Sequence, residues 1–338
     1  MTTARPDPSA SHPSASDPSA GDVLVVGEAL VDIVRTPDGR VSEHAGGSPA
    51  NVALTLGRLG RPTRLLTRVG DDERGRGIVD HLAASGVALA AGSVVPAPTS
   101  TAAAQLDSHG GATYTFDLVW DLPGSSGDPT TDVTADATGT PPRCLHTGSI
   151  SAVLEPGATA VRRLFAAARA TATTSYDPNL RPALMGSPEQ VRPAVEHLVA
   201  GADVVKLSDE DARWLDPGTT PDELAQLWSR LGPAVVVVTR GGSGAKAWCA
   251  AGVVDVAGRP VQVADTVGAG DSFSGGLIDA LWARDLLGAA QRDALVAIDT
   301  DTLRAVVEHA VAVSAVTVSR PGADPPTRAE LEAPAPVA

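Results

Sequence analysis

The chain has 338 residues, of which 43% are hydrophobic, and this combination suits one large α/β domain or two smaller ones around a soluble core. Its formal net charge of −14 disfavours nucleic acid and anionic membrane as partners, because both require a basic surface. No apolar run approaches the length of a membrane span, and the first residues lack the apolar core of a signal peptide, so we expect a cytoplasmic protein.

The order of elements along the chain predicts an α/β fold. Residues 1–21 are rich in Ser, Pro, Ala and Asp without periodicity, and we expect them to form a disordered tail. The first helix is expected to have Ser48 as its cap and Pro49 as its first residue, and a second runs from Arg74 towards Gly86. The strand candidates are residues 23–27, 64–69, 143–147, 173–177, 203–207 and 234–239. Strands that alternate with helices predict a doubly wound, mainly parallel sheet with helices on both faces.

Two stretches interrupt this alternation, near residues 31–46 and 94–118, and their sequences favour short β segments joined by turns. We expect them to form a small β lid over the edge of the sheet. Residues 123–142 consist largely of Gly, Ser, Thr, Asp and Pro and are expected to be a mobile surface loop. The predicted organisation is one domain over residues 22–327 that carries the lid, followed by a second disordered tail over residues 328–338.

The most informative segment is residues 265–276, with the sequence DTVGAGDSFSGG. Gly268, Ala269 and Gly270 are small enough for backbone to approach a ligand, and the apolar spacing that follows indicates a helix start. The unpaired N–H groups of a helix start attract phosphate. Asp271 would repel phosphate unless its carboxylate has a chemical task, and accepting a proton from an attacking hydroxyl is such a task. The alternative is an ordinary acid that stabilises the helix dipole.

Other glycine-rich sites and metal sites are disfavoured. The turn at Gly268 lacks the third glycine of GxGxxG, residues 241–246 lack the ending of a Walker A loop, and no GxSxG motif is present. The two cysteines, Cys144 and Cys249, lie in apolar segments and are interpreted as buried small hydrophobic residues. The seven histidines show no metal-binding spacing, so no structural transition metal is expected.

Together with residues 46–53 (GGSPANVA), the 265–276 segment resembles the two signature regions of the ribokinase-like (PfkB) carbohydrate kinases. Further segments resemble the fructokinase branch of that family; they are residues 27–32 (GEALVD), 146–150 (HTGSI), 177–182 (DPNLRP) and 206–211 (KLSDED). The resemblance extends over roughly residues 23–327. It implies a ribokinase-like fold and ATP-dependent phosphorylation of a sugar hydroxyl. Asp271 would be the base, and the backbone N–H groups of Gly268, Ala269 and Gly270 would form an anion hole.

For the sugar, the resemblance implies contacts from Asp32, Gly46, Gly47, Asn51 and Arg181. Asp32 follows an apolar strand, where a parallel sheet presents its ligand crevice, although an ordinary turn acid would look the same. Asn51 could pair with sugar hydroxyls or be an ordinary surface residue of a helix. The guanidinium of Arg181 suits phosphate or sugar, and a salt bridge to Asp177 is the alternative.

For the nucleotide, the resemblance implies contacts from Ser208, Thr239, Gly241, Gly244, Gly268 and Gly270. The turn at residues 239–244 follows a buried strand, and a plain hairpin turn is the alternative. The family's Asn-x-x-Glu motif, which helps to organise Mg²⁺, is changed here to SDED at residues 208–211. Asp211 is therefore expected to organise Mg²⁺ through water, unless Ser208 and Asp211 only form a helix-capping box. Backbone carbonyls of Asp265 and Val267 could help to form a K⁺ site.

The sequence favours a fructokinase, which uses ATP and Mg²⁺ to convert D-fructose to fructose 6-phosphate. A 2-keto-3-deoxygluconate kinase is the first alternative, because Arg181 could equally meet a carboxylate, and a ribokinase is a further one. A sugar-sensing protein without turnover is the alternative of another class, and Asp271 argues against it because a binder gains nothing from an anion aimed at phosphate. A homodimer that covers the exposed strand edges of the lid is also expected.

Overall fold

The computed structural model describes residues 21–106, 112–122 and 141–333, and a nine-stranded sheet forms its centre. Strands are numbered along the chain, and those of the central sheet are β1 (Val23–Val26), β4 (Thr63–Leu66), β6 (Val87–Leu89), β10 (Cys144–Gly148), β11 (Thr173–Asp177), β12 (Val204–Ser208), β13 (Val235–Thr239), β14 (Ala245–Cys249) and β15 (Gly252–Val256). The remaining strands are β2 (Leu30–Arg35), β3 (Val41–Gly46), β5 (Val69–Gly70), β7 (Val94–Val95), β8 (Thr101–Leu106) and β9 (Ala112–Asp117).

The central sheet is doubly wound. Its spatial order is β15-β14-β13-β12-β11-β10-β1-β4-β6, with parallel pairing from β13 to β6 and an antiparallel edge formed by β14 and β15. The chain starts at β1, adds β4 and β6 on one side, and then returns to add β10 and its successors on the other side. The predicted mainly parallel sheet is therefore confirmed, and each of the six strand candidates overlaps one of its strands.

Helices cover both faces of the sheet, as predicted. They are α1 (Ser48–Arg58), α2 (Glu73–Ala83), α3 (Gly157–Ala168), α4 (Pro182–Met185), α5 (Pro188–Gly201), α6 (Asp209–Leu215), α7 (Pro221–Trp228), α8 (Ala269–Ala283), α9 (Arg292–Val296), α10 (Thr300–Val318) and α11 (Arg328–Glu332). Alternate residues of each strand face opposite sides, so Val23 and Val25 pack with α1, α8 and α10, whereas Leu24 and Val26 pack with α3 and α5. Such two-sided burial explains why the strands are nearly continuous apolar runs.

A separate four-stranded sheet has the order β3-β2-β8-β9, in which β2 and β8 are parallel and the other neighbours antiparallel. It contains the stretches that interrupt the strand–helix alternation in the sequence. Val94 and Val95 lie outside this sheet, since β7 pairs with β5 instead. The small sheet matches the predicted lid in its strands, and the β2–β3 hairpin joins it directly to β1 and α1.

Three local expectations need correction or lie outside the described residues. Ser48 does not cap α1: the cap position belongs to Gly47, and the Ser48 hydroxyl points instead to Asp271. Residues 328–332 form α11 where a disordered tail is expected, because Thr327 caps the helix and Arg328 forms an ion pair with the buried Asp279. Residues 1–20, 334–338 and most of the expected 123–142 loop are outside the described part of the chain.

Both cysteines are free thiols, and Cys144 is buried as expected, whereas Cys249 is only partly buried. Burial raises the pKa of the Cys144 thiol well above its usual range, so this side chain behaves as a small apolar residue. Within the described ranges, no helix combines the length and the apolar character that crossing a membrane requires.

Candidate active site

The candidate site lies where the carboxyl ends of the parallel strands meet. Neighbouring strands β1 and β10 are followed by connections that run in opposite directions, and this reversal opens a crevice at the edge of an α/β sheet. The β2–β3 hairpin follows β1 at this edge, and the segment 177–181 follows β11. The N-terminal ends of α1 and α8 contribute the remaining groups. They meet at this edge, where Ser48 and Asn51 of α1 donate hydrogen bonds to Asp271 of α8.

Asp271, in the first turn of α8, is a buried carboxylate with three side-chain hydrogen bonds. It is 5% exposed, and one carboxylate oxygen accepts hydrogen bonds from the Ser48 hydroxyl at 2.7 Å and from Asn179 Nδ2 at 3.1 Å. The other oxygen accepts a hydrogen bond from Asn51 Nδ2 at 2.8 Å. All three donors are neutral side chains, so they fix the carboxylate without neutralising its charge.

Burial raises the pKa of Asp271 above the ordinary aspartate range, although hydrogen bonds from Ser48 and Asn51 and the charge of Arg181 oppose the shift. A carboxylate with a raised pKa is a stronger base than a solvated aspartate. The chemistry suggested by this arrangement is proton acceptance at Asp271, with the acceptor held in one orientation by α1 and the 177–181 segment.

The turn before α8 has the geometry of a phosphate-binding helix start. Gly268 has φ 73°, a left-handed conformation that favours glycine, and a Cβ there would lie 2.7 Å from the Ala323 Cβ. The first α-helical hydrogen bond runs from Ser272 N–H to the Gly268 carbonyl at 2.8 Å, so the N–H groups of residues 268–271 precede the helical ladder. Ala269 N–H already donates to the Thr266 carbonyl at 3.2 Å, which leaves Gly268 and Gly270 better placed to receive an anion.

Asp32 and the glycine pair of the first signature segment lie together on the lid hairpin. A Cβ at Gly46 would lie 2.0 Å from Asp32 Oδ2, and one at Gly47 would lie 2.4 Å from the Glu28 carbonyl oxygen. These glycines therefore make room for groups of the chain itself, whereas the sequence suggested room for a sugar. Burial raises the pKa of Asp32, while Arg181 and His44 oppose the shift and Asp271 adds to it. Asp32 and Asp271 are thus close enough for their charges to interact.

Arg181 does not form the alternative salt bridge with Asp177. Its Nη1 donates to Asn179 Oδ1 at 2.7 Å and to the Asn179 carbonyl at 3.1 Å, while Asp177 pairs with Lys206 at 2.9 Å. Arg181 is exposed, and its positive charge opposes the rise that burial causes in the pKa values of Asp32 and Asp271. Arg181 is therefore a cation at the mouth of the crevice that the two carboxylates line.

On the expected nucleotide side, Ser208 and Asp211 form the capping box that was the alternative to a metal role. Ser208 Oγ accepts from Asp211 N–H at 2.9 Å, and Asp211 Oδ2 accepts from Ser208 N–H at 3.0 Å. The other oxygen, Asp211 Oδ1, accepts from Leu180 N–H at 2.8 Å. Both oxygens of this carboxylate thus have protein donors, and the residue also ties α6 to the segment that carries Arg181.

The segment 239–244 is the tight connection of the antiparallel β13–β14 hairpin, in which Arg240 N–H donates to the Gly244 carbonyl at 2.7 Å. Gly241 is exposed and Gly244 is buried, with Thr239 between those extremes. Among the contacts of the described residues, no hydrogen bond or ion pair joins this hairpin to Asp271. The turn follows the carboxyl end of β13, where Thr239 pairs in register with Ser208, so it lies at the same edge of the sheet as the crevice without a direct bond to Asp271.

The expected cation sites lie in different places. Asp265 uses its carboxylate inside the loop, accepting from Val267 N–H at 3.0 Å and from Gly322 N–H at 2.9 Å, and Val267 is half exposed. In the part of the chain that the structure describes, no cluster of three or more His, Cys, Asp and Glu side chains could hold a metal ion.

Sequence reasoning missed three residues of this site. Ser48 has the sequence signature of a helix cap and Asn179 lies two residues before Arg181, yet both contact Asp271, and Asn179 Nδ2 donates to Ser48 Oγ at 2.6 Å. Asn179 has φ 35°, a conformation that Asn adopts more readily than most residues, so its place after Asp-Pro was a usable signal. Glu28 is also buried, and burial raises its pKa to about 7 against the opposing effect of Ser149 and Arg181.

The doubly wound sheet, the crevice at its edge and the small lid sheet are together those of a ribokinase-like α/β enzyme. A model described as pfkB family carbohydrate kinase matches residues 20–330. A fructokinase from Rhizobium leguminosarum bv. trifolii is 33% identical over 287 residues, which cover 83% of this chain and 85% of that protein. The chain belongs to the pfkB family of carbohydrate kinases, and it is a sugar phosphotransferase.

Solved structures agree with this assignment. The crystal structure of a fructokinase with bound ATP from Xylella fastidiosa has a TM-score of 0.75 and 26% identity, covering 91% of this chain and 96% of that chain. A double-mutant fructokinase from Vibrio cholerae, in a form with fructose, ADP and potassium ion bound, has a TM-score of 0.69 and 25% identity, covering 92% of this chain and 95% of that chain.

Proposed function

We propose that this carbohydrate kinase is a fructokinase, which converts D-fructose and ATP to fructose 6-phosphate and ADP. The observation that carries the proposal is the buried Asp271 carboxylate, held by Ser48, Asn51 and Asn179 at the start of α8. The fructokinases of Rhizobium leguminosarum, Xylella fastidiosa and Vibrio cholerae support fructose as the sugar.

In the proposed reaction, Asp271 accepts the proton of the primary hydroxyl as the hydroxyl oxygen attacks the γ-phosphorus of ATP. A P–O bond to the sugar forms, the bond from the γ-phosphorus to the bridging oxygen breaks, and ADP leaves with that electron pair. The N–H groups of Gly268 and Gly270, and that of Ala269 once it turns from Thr266, would stabilise the transferring phosphoryl oxygens. The raised pKa of Asp271 favours this role, because a general base is most effective when its pKa is close to the pH at which the enzyme works.

Asp32, Asn51 and Arg181 are the proposed sugar contacts. Asp32 can accept hydrogen bonds from sugar hydroxyls, and Gly46, which has no Cβ, leaves room for its carboxylate, whereas Gly47 leaves room for the Glu28 carbonyl. Asn51 already donates to Asp271, so its amide oxygen is the part that would accept from the sugar. With its amide nitrogen on Asp271 and its amide oxygen on the sugar, Asn51 would place the sugar hydroxyl beside the base.

The nucleotide is proposed to bind between the turn at residues 239–244 and the start of α8, with Ser208, Thr239, Gly241 and Gly244 on its outer side. Mg²⁺ would bind mainly to the ATP phosphates and water, where it neutralises phosphate charge, and Asp211 would act on it only through water. A K⁺ site at the backbone carbonyls of Asp265 and Val267 is proposed because that loop leads directly into Gly268, and the potassium-bound Vibrio cholerae structure supports it.

The direct test is ADP release with ATP and each of fructose, 2-keto-3-deoxygluconate, ribose and adenosine. Fructose should give the highest kcat/KM, and NMR of the product should show phosphate on the 6-hydroxyl. Asp271→Asn protein, purified in parallel, measures the contribution of contaminating kinases.

A higher kcat/KM for 2-keto-3-deoxygluconate would replace fructose as the substrate, and the exposed guanidinium of Arg181 is the observation that favours this second candidate. Sugar binding without turnover of any of the four compounds would indicate a sensor. Either result contradicts the fructokinase proposal.

We also propose that the small sheet closes over the sugar and mediates a homodimer. Its strands β3 and β9 are edge strands, and its large apolar side chains include Val41 and Tyr114, which are 51% and 60% exposed. Closure would exclude water, so ATP hydrolysis without sugar should be far slower than sugar phosphorylation. Analytical ultracentrifugation with and without fructose measures the dimer, and a monomer under both conditions would contradict it.

A further inference from the structure

A buried ion pair lies beside the proposed base and was not singled out from the sequence. Lys206 Nζ, on β12, lies 2.9 Å from Asp177 Oδ2 at the end of β11, and the two side chains are 4% and 1% exposed. Ser274 Oγ donates to the same carboxylate oxygen at 3.0 Å. Since Ser274 lies one turn after Asp271 on α8, the ion pair is attached to the helix that carries the base.

The ammonium also touches the glycine turn. A Cβ added to Gly270 would lie 2.9 Å from Lys206 Nζ, which is too close for an ordinary contact. Glycine at this position therefore makes room for a cation of the protein as well as for a ligand. Lys206 consequently lies next to the start of α8 at Gly270, and it is linked to the same helix at Ser274 through Asp177.

The charges around the ammonium are mostly negative. Burial disfavours a charged lysine, but Asp177, Asp211 and Asp271 outweigh that effect and raise the pKa of Lys206, so it stays protonated. His146, from β10, stays neutral because burial and Lys206 lower its pKa to about 3. The charges of Arg181 and Asp177 act on Asp271, and the charge of Asp271 acts in turn on Asp32 and on Lys206.

The two cations that face Asp271 are in different environments. Arg181 is exposed, so water screens its charge, whereas Lys206 is buried. Lys206 is therefore the cation near the proposed base that water does not screen, although it shares its charge with Asp177.

We propose that Lys206 is a positioning residue for phosphoryl transfer, whose ammonium fixes the start of α8 through Gly270, Asp177 and Ser274 and keeps the Asp271 carboxylate ionised. The inference rests on the proposed function, because it assumes that Asp271 is the base. It predicts that removing the ammonium slows the chemical step and shifts the pH dependence of kcat, with little effect on sugar binding.

Lys206→Met tests this inference, and Lys246→Met is the matched control, because Lys246 is the other lysine of the chain and pairs with Asp222 at the β13–β14 hairpin side of the sheet. We expect kcat of Lys206→Met to fall about 10- to 100-fold, with the KM for sugar within about twofold. The acid limb of its kcat profile should move to higher pH by about one unit, because the charged form of Asp271 loses a neighbouring cation. Lys246→Met should leave kcat and the limb unchanged.

Because Lys206→Met leaves Asp177 buried without its partner, the protein could be poorly folded, and Lys206→Met with Asp177→Asn removes that charge. This double variant should recover thermal stability and keep the lowered kcat, while its acid limb should return towards the wild-type position because the Asp177 anion, which raises the pKa of Asp271, is also removed. A return of wild-type kcat in the double variant would overturn the proposal, because Lys206 would then serve stability alone. An acid limb that survives in Asp271→Asn would instead remove Asp271 as the base, whereas a limb lost there but unmoved by Lys206→Met would remove only the role of Lys206.

Discussion

Helix α8 carries two buried carboxylates, Asp271 and Asp279, whose surroundings are opposite in kind. Asp271 accepts hydrogen bonds from a hydroxyl and two amides, and burial raises its pKa. Asp279 forms ion pairs with Arg61 and Arg328, both at 2.5 Å, and its other oxygen lies 2.7 Å from His309 Nε2. Although burial alone would raise its pKa, the hydrogen bonds from His309, Arg328 and Arg61 lower it to about 2.

The difference shows how one helix can hold a reactive acid and a structural acid a little over two turns apart. Neutral donors orient Asp271 and leave it able to accept a proton, whereas two guanidinium groups hold Asp279 in its charged form. Asp279 also connects three parts of the chain, since Arg61 follows α1, His309 belongs to α10 and Arg328 begins α11. We infer that Asp271 serves chemistry and Asp279 serves stability.

The largest expected effect follows from Asp271→Asn. This change keeps the size of the side chain and removes the proton acceptor, so kcat should fall by about 10²- to 10⁴-fold. Sugar affinity should stay within a few-fold, and thermal stability should be equal or higher, because a buried charge without a direct cationic partner is lost. Steady-state kinetics, isothermal titration with sugar and thermal unfolding measure these values, and near-normal turnover would remove Asp271 as the base.

The matched substitution Asp279→Asn should have the reverse pattern. It leaves two guanidinium groups without their shared partner, so the free energy of unfolding should fall by about 3 kcal/mol. The kcat of the folded protein should remain within about threefold of wild type, since Asp279 does not face the crevice. Urea unfolding and active-site titration separate the two effects, and a kcat loss as large as that of Asp271→Asn would contradict the division between the two acids.

The two acids should also separate activity from stability as the pH falls. The raised pKa of Asp271 means that the base is protonated above the ordinary aspartate range of about 4, so kcat should decline in mildly acidic solution. The pKa of Asp279 is lowered to about 2 in the folded protein. Its contribution to stability is therefore complete above about pH 4 and is lost between about pH 4 and pH 2.

Activity should therefore be lost first, while the free energy of unfolding is still maintained. Asp279→Asn is the control, because it should flatten the stability loss and leave the activity limb in place. Parallel losses of activity and of folded protein over the whole pH range would contradict the assignment of Asp271 to chemistry and Asp279 to stability.

The smallest expected effects come from single donors. Ser48→Ala removes one hydrogen bond to the Asp271 carboxylate and should lower kcat about tenfold, with the acid limb shifted upward. His309→Gln removes the imidazole from Asp279 and should lower the free energy of unfolding by about 1 kcal/mol without changing kcat. Kinetics and thermal unfolding of the two variants, measured side by side, test the pair. A stability loss without a kinetic change in Ser48→Ala would place Ser48 with the structural residues.

Sequence patterns predicted the main architecture because each strand is buried on both faces and leaves a short apolar run. Val235 to Val238, for example, are fully buried in β13. The helix boundaries were less predictable where a side chain has a distant partner. Ser48 is a good capping residue by type, yet its hydroxyl bonds to Asp271, which is 223 positions away in the chain. The α11 helix could not be predicted for the same reason, since the ion pair between Arg328 and Asp279 forms only in the folded protein.

The doubly wound sheet, the glycine turn at Gly268 and the family could be inferred from the sequence, because local spacing and short motifs carry that information. The folded structure was needed to show what the glycines accommodate: Asp32 beside Gly46 and the Lys206 ammonium beside Gly270. It also decided which of the two acids on α8 is paired with cations. These contacts depend on groups brought together from distant parts of the chain, and the pKa of a carboxyl is set by such neighbours and by burial rather than by its place in the sequence.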